Sequence, residues 1–538
     1  MITRSLFILL GILGLLAQPT WIYYANAPML ASLTFGDLDS DGQDEIIAAT
    51  YGRGGNPYQR GIIFVFEING DSLPGWPVEV TTGPIPSTPA IGDIDGDGKN
   101  ELVVGNWSQA FVFKADGTNY PGWPKPYGAY FSPTLEDIDR DGDMEIIYPS
   151  GSRIYVFQHD GSILPGFPVS VPHDYAGTPA VADIDGDSLF EIVAGINRGP
   201  VTPGQFELYA WNDDGSLISG FPVFLCGIIK SPPALGDLDG DGTVEIVVNA
   251  YHSSNYDTLY VLDSSGNIKP GWPVSIPYCR LSGPALADID KDGDLEILTI
   301  SGYGYAPQIP SKVHAYHHDG TTVQNWPVTI GGIPTGNSSP IVSEIDGDTL
   351  LLEILVKAQD KIFAYHSDGS PVSGFPYALD DSNHSGTTSP SPVVGDLDHD
   401  QDVEYCFSSC YGEIHFFDES SFFDDKFEEW SMFKHDERNT SFYPCAGGPG
   451  VAENQKDRFY INIWPNPFIN QVDIRIKMVK KWLKIYDVSG RVVKKLDILG
   501  SKSIVWDGTD DLGRKVSPGV YFLRVEGESG QKLIRVEP

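Results

Sequence analysis

The chain is poor in positive charge, in cysteine and in long apolar runs, and each shortage removes a class of function. Only 35 Lys and Arg stand against 73 Asp and Glu, giving a formal charge of −38. Such a field repels a nucleic-acid backbone or an anionic membrane surface at long range, so no nucleic-acid partner is expected. Five cysteines in 538 residues (Cys226, Cys279, Cys406, Cys410 and Cys445) are too few, and odd in number, for a disulfide framework. They read first as small buried residues. Cys406 and Cys410 would lie about 13 Å apart on an extended strand and could bridge only across a turn. No apolar run approaches the roughly 20 residues that span a bilayer. The run at 6–17 follows Arg4 and precedes a small-x-small step at Ala25 and Ala27, the layout of a secretory signal expected over 1–27. After its removal no stable transmembrane segment is expected. No G-x-S-x-G elbow, Walker loop or H-E-x-x-H helix motif occurs.

What is abundant is turn chemistry and aromatics: 59 Gly, 41 Pro and 12% Phe, Trp and Tyr, the composition of many short strands joined by tight turns. The strings DLDSDGQDE at 37, DIDGDGKNE at 93 and DLDGDGTVE at 237 belong to a series whose copies begin 44 to 56 residues apart. Each of the first seven is followed by an aromatic strand, a DG-like turn and a G-[WF]-P step (N-W-P in the sixth), as in FVFKADGTNYPGWPK at 111. The apolar, β-branched segments around each acidic string read as strands buried on both faces. Three or four antiparallel strands per unit of about 50 residues, eight times over, are the pattern of β-propeller blades. The fold class is therefore all-β: a β-propeller over 28–443, with eight blades expected and seven plus a partial unit as the alternative. The stretch EEWSMFKHDERNTSFY at 428 departs from the repeat and reads either as a closing strand or as an irregular cap.

Aligned on itself, the loop is D-x-D-x-D-G-x-x-E. Its acids at positions one, three, five and nine are Asp37, Asp39, Asp41 and Glu45; Asp93, Asp95, Asp97 and Glu101; Asp137, Asp139, Asp141 and Glu145; Asp183, Asp185, Asp187 and Glu191; Asp237, Asp239, Asp241 and Glu245; Asp288, Asp290, Asp292 and Glu296; and Asp396, Asp398, Asp400 and Glu404. Carboxylates packed this closely repel unless a cation lies among them, and oxygen donors without His or Cys select Ca²⁺. Position seven is Gln43, Lys99, Asp143, Leu189, Thr243, Asp294 or Asp402. Lys and Leu side chains cannot ligate Ca²⁺, so a backbone carbonyl is expected to bind there. Gly at position six allows the sharp turn; Ser188 and Gln401 replace it in the fourth and eighth copies, where the turn is less secure. The seventh copy opens with Glu344, Asp346 and Asp348 and reaches its last acid one residue late at Glu353, so it is read as weak or empty. Up to eight Ca²⁺ ions would bring the formal charge to about −22. An EF-hand is excluded, since its last acid stands at position twelve and helices flank it.

These loops resemble the FG-GAP or VCBS repeats of bacterial surface proteins and of the integrin α-subunit propeller, over roughly 30–443. The resemblance implies Ca²⁺ held by the acids just named. After a Gly-rich linker at 444–456, the segments WPNPF at 464, IYDVSGRVV at 485 and WDGTDDLGRKVSPGVYFLRV at 506 resemble the C-terminal sorting domain of type IX secretion substrates and the FlgD-like immunoglobulin fold. That resemblance implies a small immunoglobulin-like sandwich at 457–538, export through the secretion machinery, and a place in the medium or on the outer surface of a Gram-negative-type cell. The expected role is adhesion or recognition of an extracellular protein or glycan; the alternative is a secreted carbohydrate-active enzyme, a polysaccharide lyase or glycosidase. The longer stretches at 52–61, 197–205 and 301–312 would supply either site. His159, His317, His318 and His366 each fall at the turn after the aromatic strand of their own unit and read as turn residues. The Trp and Phe of G-[WF]-P read as packing between blades.

Overall fold

The computed structural model describes residues 18–443 except 53–59, 173–174, 197–205, 230, 253–255, 278–281, 303–310, 331–337, 348–350, 359–360, 380–389 and 423–427, and beyond 459 seven strands with parts of their connections. It divides into two compact units at Gly448/Pro449.

The first unit is an eight-bladed propeller of antiparallel sheets. Blade 1 is Thr34–Gly36, Glu45–Ala49, Gly61–Phe66 and Val78–Val80, in chain order. Blade 6 repeats it with Ala285–Ala287, Glu296–Ser301, Ser311–Tyr316 and Val328–Ile330. Blade 2 has three strands, with Lys125 bridging Ala110 where a fourth would run. The first strands are three-residue segments with every residue buried, and those of adjoining blades touch, forming the inner ring. Second strands such as ELVVG and EIVAG are buried throughout, which their uninterrupted apolar character requires. Among the described residues no helix is long and apolar enough to cross a membrane.

Neighbouring blades are joined by the G-[WF]-P step. The indole Nε1 of Trp76, Trp123, Trp272 and Trp326 donates to Ala115 O, His159 O, His318 O and Ser367 O of the next blade, at 2.8–2.9 Å. The glycine before it lets the chains approach: a Cβ on Gly271, whose φ is +90°, would lie 1.8 Å from Asp319 O, and one on Gly75 would lie 2.0 Å from Asp116 O. Trp76, Trp123, Phe167, Phe221, Trp272 and Trp326 are buried, as expected for packing between blades, and Phe375 is partly buried.

Ring closure comes from the N-terminus. Trp21–Tyr24, inside the segment assigned to the secretory signal, forms the outer strand of blade 8 against Glu413–Phe422. Trp21 stacks on Phe416 at 5.1 Å and donates to Ile68 O at 2.7 Å, so the strand ties blade 8 to blade 1. The acidic-loop pattern carries no trace of this strand, because it precedes the first repeat.

The stretch at 428–443 is the irregular cap rather than the closing strand, and it runs through the middle of the ring. Glu428–Trp430 pairs with the first strand of blade 7. Ser431 O then accepts from Val394, Glu437 O from Ile91, Arg438 O from Leu135, Thr440 O from Val181 and Ser441 O from Leu235, the first strands of blades 8, 2, 3, 4 and 5. Lys434, His435, Asn439 and Ser441 hold positive φ, which lets the segment turn sharply between its contacts with the blades. Arg438 reaches Glu136 at 3.3 Å in place of the small residue that most first strands carry there. Arg438→Ala strands a buried carboxylate and is expected to cost about 3 kcal/mol. Calorimetry on the single and the Arg438→Ala, Glu136→Ala double variant checks this; the double variant is expected to recover most of the loss.

Cys406 is fully buried, and Cys406 and Cys410 form no disulfide with each other; Cys279 and Cys445 lie outside the described residues. The second unit contains a three-stranded sheet (Tyr460–Trp464, Val472–Lys477, Ser503–Trp506) and a four-stranded one (Val492–Asp497, Trp482–Asp487, Gly519–Val525, Gln531–Arg535). Trp506 of the first meets Tyr521 of the second at 5.4 Å.

Candidate metal centres

Each acidic string joins the first to the second strand of its blade, so all eight lie at one end of the ring with the turns between third and fourth strands. The local fold recurs in blades 1, 2, 3, 5 and 6, while in blade 4 Asp183 accepts from Gly186 and Ser188, positions four and six. The position-one carboxylate collects the backbone N–H groups of positions five and six: Asp37 accepts from Asp41 and Gly42, both at 3.1 Å, and Asp93 from Asp97 and Gly98 at 3.1 and 2.8 Å. The position-five acid accepts from position seven, as Asp41 does from Gln43 at 2.9 Å and Asp187 from Leu189 at 2.8 Å. The closing Glu opens the second strand, is buried, and takes the N–H of position two through Oε2: Leu38 to Glu45 at 2.8 Å, Ile184 to Glu191 at 2.8 Å, Leu397 to Glu404 at 2.7 Å.

Position six has positive φ throughout the described copies, including Ser188 (75°) and Gln401 (77°), so the turn survives both replacements. Position four is left-handed too, at Ser40, Gly96, Arg140, Gly186, Gly240, Lys291, Gly347 and His399. Four glycines in that column were the overlooked sign. In the seventh copy Glu344 is buried and accepts from Asp346 and Gly347, and Glu353 accepts from Ile345 at 2.9 Å, while Asp348 lies outside the described residues.

Several of the oxygens turned into the loops have no partner. Oε1 of Glu45, Glu145, Glu191 and Glu404 is buried without a hydrogen-bond partner. Burial first, and the neighbouring aspartates second, push Glu45, Glu101, Glu145 and Glu191 up to about 8 and Glu296 and Glu404 up to about 9, against the opposing backbone N–H bond. Clusters such as Asp398, Asp400, Asp402 and Glu404 bring their oxygens within 4.8 Å of one another. Donor set and orphaned oxygens both fit a hard divalent cation.

In several blades the wall opposite the loop is built by residues of the turn between the third and fourth strands of the same blade. Glu67 joins Asp39 and Glu45 in one cluster. The Tyr120 hydroxyl donates to Asp95 at 2.5 Å. His159 lies 2.8 Å from Asp143, His317 3.0 Å from Glu296 and His366 2.9 Å from Glu353, and His318 meets Asp294. The histidines thus lie in blades 3, 6 and 7, His317 and His318 sharing blade 6, and each contacts the loop of its own blade. The recurring offset from the acidic string was the available signal.

Residues 37–104 and 237–299 match the FG-GAP-like repeat, and 462–536 match the secretion system C-terminal sorting domain. These stretches of the ring are FG-GAP-like repeats, and the tail is a sorting domain that marks export by type IX secretion to the cell surface or the medium. The chain is a secreted or surface-exposed propeller protein of that kind. No curated protein sequence matches it. Among solved structures it is similar to the Vibrio cholerae biofilm matrix protein Bap1, at 15% identity over 77% of this chain and 92% of that one, TM-score 0.41. It is also similar to the BP39L lectin of Burkholderia pseudomallei (11%, 66% and 100%, TM-score 0.43) and to PorZ, a surface component of the type IX secretion system of Porphyromonas gingivalis (12%, 95% and 60%, TM-score 0.36).

Proposed function

We propose that this is a calcium-stabilised recognition module, in which Ca²⁺ in the acidic loops fixes one end of the ring and the other end meets an extracellular protein or glycan. The observation that carries the reading is the separation of the two ends. Connections from second to third strand, and from one blade to the next, lie opposite the acidic loops. Large exposed aromatics gather on them: Trp107 (41% exposed), Tyr130 (49%), Tyr175 (42%) and Tyr256 (58%). Trp107 stacks on Tyr130 at 6.4 Å and meets Tyr51 edge-on at 5.7 Å, so the cluster crosses blades 1 to 3. Exposed aromatic faces of this kind anchor partners at small conformational cost. The flanks of the longer stretches, Ala49 and Gly61, Gly195 and Phe206, Ser301 and Ser311, are at the same end; most of 52–61 and 301–312 and all of 197–205 lie outside the described residues. The enzyme alternative draws no support from the axis of the ring, which the chain's own 430–443 occupies.

In this reading the Ca²⁺ ligands are the acids at positions one, three, five and nine with the carbonyl at seven. The tail is an immunoglobulin-type sandwich, supported by its three-plus-four strands and by the Tyr521 hydroxyl, which donates back to Ser517 O at 2.6 Å. The ligand test is an array of surface glycans and matrix proteins probed with the secreted chain. Trp107→Ala with Tyr130→Ala is expected to weaken the retained class at least about thirtyfold with the melting temperature unchanged. Undiminished binding by that variant would place recognition elsewhere.

A further inference from the structure

The eight loops do not all need a metal. Two residues before the Gly of G-[WF]-P (Asn325 in blade 6), the third-to-fourth strand turn carries Leu73, Leu164, Ile218, Val323 and Val372 in blades 1, 3, 4, 6 and 7, all buried, and Tyr120 in blade 2. Blade 5 alone places a cation there, Lys269. Its backbone is positioned as in the others: Lys269 N donates to Val261 O just as Leu73 N donates to Val65 O. Its ammonium enters the acidic loop of its own blade, 2.9 Å from Asp239 Oδ2 and 2.8 Å from Glu245 Oε1. Glu245 Oε1 is the counterpart of the oxygen left unpartnered in Glu45, Glu145, Glu191 and Glu404.

Resting on the calcium reading of the other loops, we propose that the loop at 237–245 is closed by the Lys269 ammonium and takes no Ca²⁺. The ammonium holds the two carboxylates that would have to turn to the ion, and an ion bound between them would sit against a fixed positive charge. A single charge does not satisfy the whole loop, and Asp239 Oδ1 remains buried without a partner. Blade 5 is thus a segment of the ring whose fold is independent of calcium supply.

The test is native mass spectrometry of the full secreted chain in calcium, comparing wild type with Lys269→Leu, which installs the residue type of the other blades. The variant is expected to carry one more Ca²⁺ than wild type and to lose more melting temperature on chelation. Equal counts would overturn the inference; no calcium on either protein would overturn the calcium reading itself. Should Lys269→Leu fail to fold, Glu245→Gln and Glu191→Gln decide the matter. The first is expected to leave the count unchanged and the second to lower it by one, and a loss in both would overturn the assignment.

Discussion

Chelation at pH 8 is expected to lower the melting temperature of the ring by about 10 °C, and added Ca²⁺ to restore it. At millimolar calcium and a dissociation constant of about 10⁻⁴ M, each occupied loop contributes about 1.4 kcal/mol by mass action. Six such loops over some 400 residues, at about 1.2 °C per kcal/mol, give that shift. The pH dependence supplies an internal check. Glu45, Glu101, Glu145 and Glu191 rise from 4.5 to about 8. Between those values the metal-free folded chain binds more protons than the unfolded one, so its stability falls as pH rises through the window. Calcium reverses the slope, because acid displaces the ion from the same carboxylates. Melting curves with chelator should therefore peak near pH 5, at about the unfolded value, and those with Ca²⁺ near pH 8 or above. Parallel pH profiles would count against metal in the loops.

A chain that begins at Pro28 is expected to fold poorly or to aggregate. It lacks Trp21–Tyr24, whose four paired residues complete blade 8, together with the Thr20 N to Phe416 O and Ala25 N to Gly412 O bonds. Trp21 and Tyr23 cover Phe64, Phe66 and Phe416, and their loss forfeits about 2 kcal/mol each in apolar burial. It also bares a long strand edge open to pairing with other chains. The corollary concerns processing. N-terminal sequencing of the exported protein should find its first residue at or before Thr20. A mature chain that starts at residue 28 and still melts like the longer form would show that the ring closes without this strand.

The sequence disclosed the architecture because the architecture is periodic. Eight acidic strings, each flanked by apolar strands and the first seven followed by a G-[WF]-P or N-W-P step, leave few alternatives to blades around an axis, and the ligand columns could be read by aligning the chain with itself. What happens once was hidden. The closing strand precedes the first repeat and resembles the end of a signal. The axial segment is polar and aperiodic, and its four left-handed residues, Lys434, His435, Asn439 and Ser441, are not glycines. Lys269 could have been found, since its column is apolar or aromatic in the other blades, but a single basic residue beside a turn is ordinary until the fold shows it facing Asp239 and Glu245. The aromatic patch had no signal at all: Trp107 and Tyr130 are separated in sequence and meet only because blades 2 and 3 are neighbours.

The most direct test of the calcium-stapled ring is equilibrium dialysis of the secreted chain against millimolar ⁴⁵Ca²⁺. About six ions per chain are expected, from the loops of blades 1 to 4, 6 and 8, with Mg²⁺ a weak competitor because it demands a tighter octahedral shell. A chain that binds none, and melts identically with and without chelator, would contradict it.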